Sequence, residues 1–356
     1  MAQLLAGITR RQAALAGLLA GAAVLRPAWA AGLPAVLTQA ALPTPKALGA
    51  ATLAVARAGN RLVAVGERGT VLLSDDHGAS WRQAQVPVQA SLTAVCFADE
   101  RTGWAAGHLG VILRSDDAGA TWHKQLDGVQ AAELVKQAAQ GSGDAAMAQA
   151  QRLVEEGADK PFFDLEFIDA QRGFAVGAYN LMFATTDGGK HWAALGPRLP
   201  NPKSLHLYGV RARGRTLVVA GEQGLLLRST DGCASFSALA SPYKGSFFGL
   251  LQTRGGALVA YGLRGTAYRS TDEGLHWDKL DTGLPMAVGA GMALPDGGFV
   301  LLGQAGDALV GAADSLALKR IPVREPVPVS GVALAADGAL VLASLRGMRR
   351  LELPAN

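Results

Sequence analysis

The chain has 356 residues, of which 49% are hydrophobic and 17% charged, and its formal net charge is +4. The first thirty residues hold three arginines and no acidic residue, so the rest of the chain carries 30 basic and 29 acidic residues. This balance excludes the strongly basic surface of a nucleic-acid-binding protein. Beyond the N-terminus, no apolar run approaches the ~20 residues that a membrane-spanning helix needs.

The N-terminus has the pattern of an export signal. Arg10 and Arg11 precede an apolar run over residues 13–25, and the small-x-small sequence Ala28-Trp29-Ala30 follows. These features predict a signal peptide over residues 1–30, cleaved near Ala30. The paired arginines resemble a twin-arginine signal, and the general secretory route is the alternative. We therefore expect a periplasmic mature chain, residues 31–356, and no lipid anchor, because the residue directly after the predicted cleavage site is Ala31 and not cysteine.

The rest of the chain is organised by a repeat. Each unit reads apolar-Gly-x-x-Gly, then an apolar strand, then Ser/Thr-x-Asp. The units are separated by 41, 70, 44, 41, 41 and 41 residues when they are aligned on one anchor position, occupied by Gly66, Gly107, Gly177, Gly221, Gly262, Gly303 and Ser344. A period near 40 residues with several short strands per unit is typical of propeller blades. The sequence therefore predicts an all-β fold, a single seven-bladed β-propeller.

The last unit ends early. It has three predicted strands, over residues 329–335, 339–343 and 348–353, and the sequence stops at Asn356. A strand-like stretch over residues 35–41 precedes the first unit and has no unit of its own. We expect residues 35–41 to pair with the third strand of the last blade as a closing strand.

A turn motif, the Asp-box Ser/Thr-x-Asp-x-Gly-x-x-Trp, ends the third strand of most units. Its Asp can accept hydrogen bonds from backbone N–H groups, its Gly tolerates positive φ, and its Trp can cap the apolar edge of the sheet. We assign a structural role to these positions: Ser74, Asp76, Gly78 and Trp81; Ser115, Asp117, Gly119 and Trp122; Thr185, Asp187, Gly189 and Trp192; Ser229, Asp231 and Phe236 in a degenerate copy; and Ser270, Asp272, Gly274 and Trp277.

No metal, cofactor or catalytic centre is predicted. Each Asp-box offers one or two carboxylates, whereas a calcium site requires six to eight oxygen ligands. Only Cys96 and Cys233 are present, in different repeats and at different repeat positions, so neither a disulfide nor a zinc site is expected.

One irregularity separates the second and third units. The 70-residue spacing leaves 29 residues more than the usual 41, and residues 128–158 change to helical periodicity on both sides of Gly141-Ser142-Gly143. We predict a helical hairpin between blades 2 and 3. In propellers such a connection lies on the same face as the turns between second and third strands. Candidate partner-binding residues in those turns are Arg68, His108, Tyr179, Glu222, Arg264 and Arg346.

The repeat resembles the photosystem II assembly and stability factor family of BNR-repeat propellers. The pattern is most complete from Gly262 to Trp277 and recurs after about residue 48. The resemblance implies a non-enzymatic, lumenal or periplasmic factor that binds a protein partner, a segment of a membrane protein, during assembly of a complex such as that of photosynthesis. We expect the chain to be monomeric. The twin-arginine-like signal and the helical insertion depart from the family pattern.

Two other functions remain open. Asp-box propellers include sialidases and other glycoside hydrolases, and Asp164, at the start of an inner strand, is the candidate catalytic acid for this alternative. The sialidase motif Arg-Ile-Pro occurs at Arg320-Ile321-Pro322, but between the sixth and seventh units and not near the N-terminus. A periplasmic accessory scaffold of an envelope transporter is the third function.

Overall fold

The computed structural model describes residues 33–353, so the predicted signal peptide and cleavage site lie outside the described residues. Within this range the strands form seven antiparallel sheets, six with four strands and one with three. The first strand of each sheet contacts the first strand of the next, and β25, the first strand of the seventh, contacts β1. The seven-bladed β-propeller is confirmed.

The strands run in sequence order within every sheet, from the channel to the rim. Blade 1 comprises β1 (Thr52–Ala58), β2 (Arg61–Gly66), β3 (Val71–Ser74) and β4 (Arg82–Gln83). Blade 2 comprises β5 (Leu92–Phe97), β6 (Gly103–Gly107), β7 (Ile112–Ser115) and β8 (His123–Leu126). Blade 3 comprises β9 (Phe162–Phe167), β10 (Gly173–Gly177), β11 (Met182–Thr185) and β12 (Ala193–Ala194). Blade 4 comprises β13 (Leu207–Arg213), β14 (Thr216–Gly221), β15 (Leu226–Ser229) and β16 (Ser237–Ala238). Blade 5 comprises β17 (Phe247–Gln252), β18 (Leu258–Gly262), β19 (Ala267–Ser270) and β20 (Asp278–Leu280). Blade 6 comprises β21 (Val288–Ala293), β22 (Phe299–Gly303), β23 (Ala308–Gly311) and β24 (Leu318–Ile321). Blade 7 comprises β25 (Val329–Leu334), β26 (Leu340–Ser344) and β27 (Arg349–Leu351).

The core lies between the blades. Every residue of β6, β18 and β22 is buried, since a second strand has a neighbouring blade on each face. One apolar cluster joins Val300 and Leu302 of blade 6 to Leu340 and Leu342 of blade 7. Each such side chain contributes roughly 1.5–3 kcal/mol when it is removed from water. A blade is therefore stabilised mainly by its neighbours.

The anchor glycine of the repeat ends the second strand, where two backbone segments come close together. A Cβ built on Gly107 would lie 2.1 Å from the carbonyl oxygen of Ser91, and one on Gly177 would lie 2.2 Å from that of Pro161. Only glycine leaves room for this approach. The anchor therefore reflects packing against the start of the inner strand.

Blade 7 closes the ring through side chains. Thr52 Oγ1 donates a hydrogen bond to the carbonyl oxygen of Ser344 (3.1 Å) and accepts one from the Ser344 N–H (3.0 Å). Ser330 Oγ donates to the carbonyl oxygen of Thr52 (2.7 Å), and Arg350 Nη1 donates to that of His77 (2.7 Å). Among the described residues, no strand pairs with the outer edge of β27.

The predicted closing strand is therefore wrong. Ala35–Leu37 form a short 3-10 helix, and the segment lies against the connection between blades 1 and 2. The Ala41 N–H donates to Val86 O (2.9 Å), and the Gln89 N–H donates to Val36 O (2.8 Å). The physical reason is the Leu37 side chain, which is buried in the cluster between these two blades.

The predicted helical hairpin is confirmed. It consists of α1 (Gly128–Ala138) and α2 (Asp144–Glu156). Asp127 caps α1 through a capping box with Gln130, which satisfies N–H groups that would otherwise lack partners. Neither helix in residues 33–353 is long and apolar enough to cross a membrane.

The ring has two different faces. The turns between first and second strands lie on the same face as the Asp-boxes and are hydrogen-bonded to them. In blade 2 the Ala118 N–H of the Asp-box donates to Arg101 O of the turn (2.9 Å), and in blade 4 the Gly232 N–H donates to Arg215 O (3.1 Å). We call this the Asp-box face. The opposite face, which we call the hairpin face, carries the helices and the turns between second and third strands.

Candidate functional site

The hairpin face presents short 3-10 turns whose middle residue has left-handed backbone geometry. In five blades this residue is not glycine, and it is Arg68 (φ 54°), Leu109 (φ 59°), Tyr179 (φ 51°), Gln223 (φ 53°) or Arg264 (φ 57°). Such φ values are uncommon in residues with a side chain and persist where surrounding contacts enforce them. The turns therefore hold their side chains in fixed directions.

Contacts between neighbouring blades enforce this geometry. The N–H of Arg68 donates to Ser91 Oγ (3.2 Å), that of Tyr179 to His206 Nδ1 (3.1 Å), and that of Gln223 to Ser246 Oγ (3.3 Å). In each case the acceptor belongs to the start of the next blade. The hairpin face is thus preorganised by bonds that cross the blade boundaries.

The predicted partner-binding residues occupy this face unequally. Five of them are exposed, namely Arg68, His108, Tyr179, Arg264 and Arg346. Glu222 is half-buried and accepts a hydrogen bond from the His206 N–H (3.2 Å). Its carboxylate is therefore engaged in positioning the start of β13.

Aromatic side chains line the channel beside these turns. Phe163, Tyr208 and Phe248 come from β9, β13 and β17, and their rings follow one another at centroid distances of 5.1 and 5.8 Å. His206 bridges this row to Tyr179, whose ring centroid lies 4.7 Å away. Phe163, Tyr208 and Phe248 are each the second residue of the first strand of their blade. They are half-buried, so each leaves part of a ring accessible at the channel mouth.

A cleft of about 730 Å³ separates α2 from the turn of blade 3. Leu153 and Tyr179 line it, and Gln149 of α2 donates a hydrogen bond across it to Ser204. Lys160 lies over the Tyr179 ring, with Nζ 5.2 Å from the centroid, and pairs with Glu156 (2.8 Å). The hairpin thus adds an apolar and charged groove to the face.

A charged cluster lies deeper in the channel wall, and sequence reasoning found only one member of it. Arg211 Nη1 lies 2.6 Å from Asp164 Oδ2 and 3.6 Å from Glu166 Oε2. Asp164 also accepts from the Val210 N–H (3.0 Å). Burial raises the pKa of Glu166 to about 7 despite the Arg211 guanidinium. Burial, and to a smaller extent the nearby Asp164 carboxylate, explain why Glu166 retains its proton more readily than an exposed glutamate.

The Asp-box turns bond within themselves. Ser115 Oγ donates to Asp117 Oδ1 (2.8 Å) and accepts from the Gly119 N–H (2.9 Å), and Trp122 Nε1 donates to Gly119 O (2.9 Å). Asp117 Oδ1 also accepts from the Thr121 N–H (2.9 Å). The other copies repeat the N–H bond to the carboxylate at Asp76, Asp187, Asp231 and Asp272. The Trp bond recurs at Trp81 and Trp277, but Trp192 Nε1 is buried without a hydrogen-bond partner among the described residues. The Asp carboxylates are therefore occupied by local partners.

Two Asp-box histidines have a contact that the sequence did not suggest. His191 Nδ1 lies 2.6 Å from Asp187 Oδ2, and His276 Nδ1 lies 2.6 Å from Asp272 Oδ2. In the other copies a Ser or Thr hydroxyl contacts the Asp at this position. These histidines thus complete the turn.

Comparison with known proteins identifies similar sequences. Residues 143–306 match the family model described as photosynthesis system II assembly factor YCF48. The chain is 36% identical over 76 residues to the photosystem II assembly lipoprotein Ycf48 of Synechococcus sp. (strain CC9902), an alignment that covers 21% of this chain and 23% of that protein. The chain thus spans less than a quarter of the curated relative it matches. These matches confirm the predicted resemblance to the photosystem II assembly factor-like family.

Solved structures are similar in fold. YCF48 bound to D1 peptide superposes with a TM-score of 0.62 at 14% identity, covering 91% of this chain and 100% of that chain. YCF48 from Cyanidioschyzon merolae gives 0.63 at 13% identity, covering 87% and 97%. Streptogramin B lyase gives 0.66 at 12% identity, covering 86% and 94%. Since a lyase is as similar as the assembly factors, the fold alone does not decide between binding and catalysis.

Proposed function

We propose that this chain, similar in sequence to photosystem II assembly factors, is an exported, non-enzymatic and monomeric propeller that binds a segment of a membrane protein during assembly of an envelope complex. The binding surface is the hairpin face, with Arg68, His108, Tyr179, Arg264 and Arg346 as contacts. The relatives support a protein partner, because one is named an assembly lipoprotein and another is bound to a D1 peptide. The lipoprotein name also supports export.

One observation carries the proposal: side chains suited to a protein interface stand on turns that are already fixed. Aromatic residues and arginine are enriched at interface hot spots. Tyr179 is 53% exposed, and Leu263 and Leu345 are exposed beside Arg264 and Arg346. A surface fixed before binding loses little conformational entropy when a partner docks.

The enzyme alternative has less support from the geometry. Asp164 is engaged by Arg211 and by the Val210 N–H, so its carboxylate is neutralised by the protein. Arg320 of the Arg-Ile-Pro sequence lies on the outer strand β24 and pairs with Asp307. It is therefore remote from the channel. An accessory scaffold of a transporter would use the same hairpin face and differs only in the partner.

The test is site-specific photo-crosslinking in cells. A photoreactive residue at position 179 should trap a membrane protein, and one at Leu275, which is exposed next to an Asp-box, should not. The double variant Arg264→Glu with Arg346→Glu should abolish trapping from position 179 without lowering the melting temperature, because both side chains are exposed.

A matched control reverses charge elsewhere. Arg215→Glu with Lys279→Glu changes two exposed cations away from the hairpin face and should leave trapping unchanged. Equal loss in both double variants would mean that net charge, and not the hairpin face, governs capture. Unchanged trapping in the Arg264 and Arg346 variant would refute the proposal.

A further inference from the structure

The opposite end of the channel contains a second cavity, of about 660 Å³. It lies at the Asp-box face, where the inner strands end. Its wall includes Arg57, Arg213 and Arg254, which come from blades 1, 4 and 5. None of them belongs to the proposed partner surface.

None of these three guanidinium groups is paired with a carboxylate of the described residues, although Glu166 lines the same cavity. Within residues 33–353 they form no ion pair and no side-chain hydrogen bond, whereas Arg211 in the same cavity pairs with Asp164 at 2.6 Å. Arg213 also lies against the turn that follows Arg254, because a Cβ built on Gly256 would lie 2.0 Å from Arg213 Nη1. All three residues are exposed to solvent, and their guanidinium N–H groups are available to donate to an anion in the cavity.

The rest of the wall restricts the kind of anion. Met292, Leu294, Val332 and Leu334 present apolar surface to the cavity, which favours a ligand with an apolar part. Glu166 also lines it and disfavours a dianion more than a monoanion. A carboxylate matches the fork of a guanidinium through two parallel hydrogen bonds.

We propose that this cavity is a binding site for an organic carboxylate with an apolar chain, held by Arg57, Arg213 and Arg254 at its head and by Met292, Leu294 and Val332 along its body. Such a carboxylate belongs to a small organic acid or to the free C-terminus of a peptide that ends in an apolar residue. The site lies on the opposite face from the proposed partner surface and does not depend on it.

The experiment is calorimetric titration of the full-length chain with four probes. Octanoate represents the organic acid, N-acetyl-leucine represents a peptide C-terminus, and octanamide and inorganic phosphate are controls. Saturable binding of octanoate or N-acetyl-leucine supports the proposal, and the tighter of the two identifies the source. If neither binds, if octanamide binds as tightly as octanoate, or if phosphate binds more tightly than both, the proposal is wrong.

Variants connect binding to the cavity. Arg213→Gln with Arg254→Gln should weaken carboxylate binding roughly tenfold or more, because each loss of 1.4 kcal/mol is a factor of ten. Arg57→Gln alone is a second, smaller test from another blade. Arg215→Gln is the matched control, because Arg215 lies two residues from Arg213 in the turn between β13 and β14. Its guanidinium donates to Asp231 O (2.8 Å) outside the cavity. Equal affinity in the control and in the double variant would also overturn the proposal. Melting curves for all variants establish that they are folded.

Discussion

The turns on the two faces of the ring are stabilised in opposite ways. In an Asp-box turn the hydrogen bonds join residues that are close in sequence, as those from Ser115 to Asp117 and from Gly119 to Ser115 do. A hairpin-face turn takes its partner from the next blade, as Arg68 does from Ser91. The hydrogen bonds that shape the Asp-box turn thus lie within one blade, although a neighbouring blade also donates to its carbonyl groups, as Arg350 does to His77 O and Trp104 to Gly188 O. The backbone N–H of the middle residue in the hairpin-face turn takes its acceptor from the next blade.

This difference separates stability from recognition. The Asp-box uses its polar and aromatic groups internally, so little remains to contact a partner. The hairpin-face turn uses only its backbone internally and leaves its middle side chain, such as Tyr179 or Arg264, exposed. Substitutions should therefore affect folding on one face and binding on the other.

An aromatic residue from each face gives the largest contrast. Trp122 is 3% exposed and bonded to Gly119, so Trp122→Ala should lower the free energy of unfolding by about 3–5 kcal/mol. Tyr179→Ala should change it by less than about 0.5 kcal/mol, since the ring is 53% exposed. Urea denaturation of both variants measures this. Similar losses would mean that the two faces are not energetically distinct.

A serine from each face gives an intermediate contrast. Ser115→Ala leaves the buried N–H of Gly119 without its acceptor, which should cost about 1–3 kcal/mol. Ser91→Ala removes the acceptor of the exposed Arg68 N–H and should cost about 0.5–1.5 kcal/mol, since water can replace it. Thermal denaturation checks the order of the two losses, and the reverse order would contradict it.

Acid gives the smallest contrast, and it concerns the Asp-box face. The His191 N–H, with its imidazole and the Thr185 hydroxyl, lowers the pKa of Asp187 to about 2. Because the folded pKa lies below the unfolded one, this stabilisation is present above about pH 4 and is lost as the pH falls towards 2. Solvent exposure limits it to less than about 1 kcal/mol per turn. Asp187→Asn should show a shallower fall in stability between pH 4 and pH 2 than the wild type, and an equal fall would contradict this role.

The repeat could be predicted because its signals are local. The anchor glycines and the Asp-box residues each satisfy a backbone need a few positions away, and the last strands were placed within a few residues of β25, β26 and β27. The helical hairpin followed from a change of periodicity. Each of these features can be read from one stretch of sequence.

Features that depend on distant contacts were missed. Residues 35–41 have the composition of a strand, but burial of Leu37 between blades 1 and 2 decides their position. The bonds that Ser91, His206 and Ser246 make to neighbouring turns leave no signal in any single repeat. The cavity arginines did leave a signal in the repeat, because Arg213 and Arg254 occupy the same repeat position, eight residues before an anchor glycine.

The closure of the ring by Thr52 and Ser344 has a consequence for how the chain folds. These residues are 292 positions apart, and a ribosome adds residues one at a time from the N-terminus. Blades 1 to 6 precede the last seam in the sequence, and that seam has no partner until blade 7 has been made. Contacts of such high sequence separation form slowly because the intervening chain must first be ordered. Closure of the ring therefore requires both ends of the described chain, and the seam between blades 7 and 1 is the contact that brings together the residues most distant in sequence.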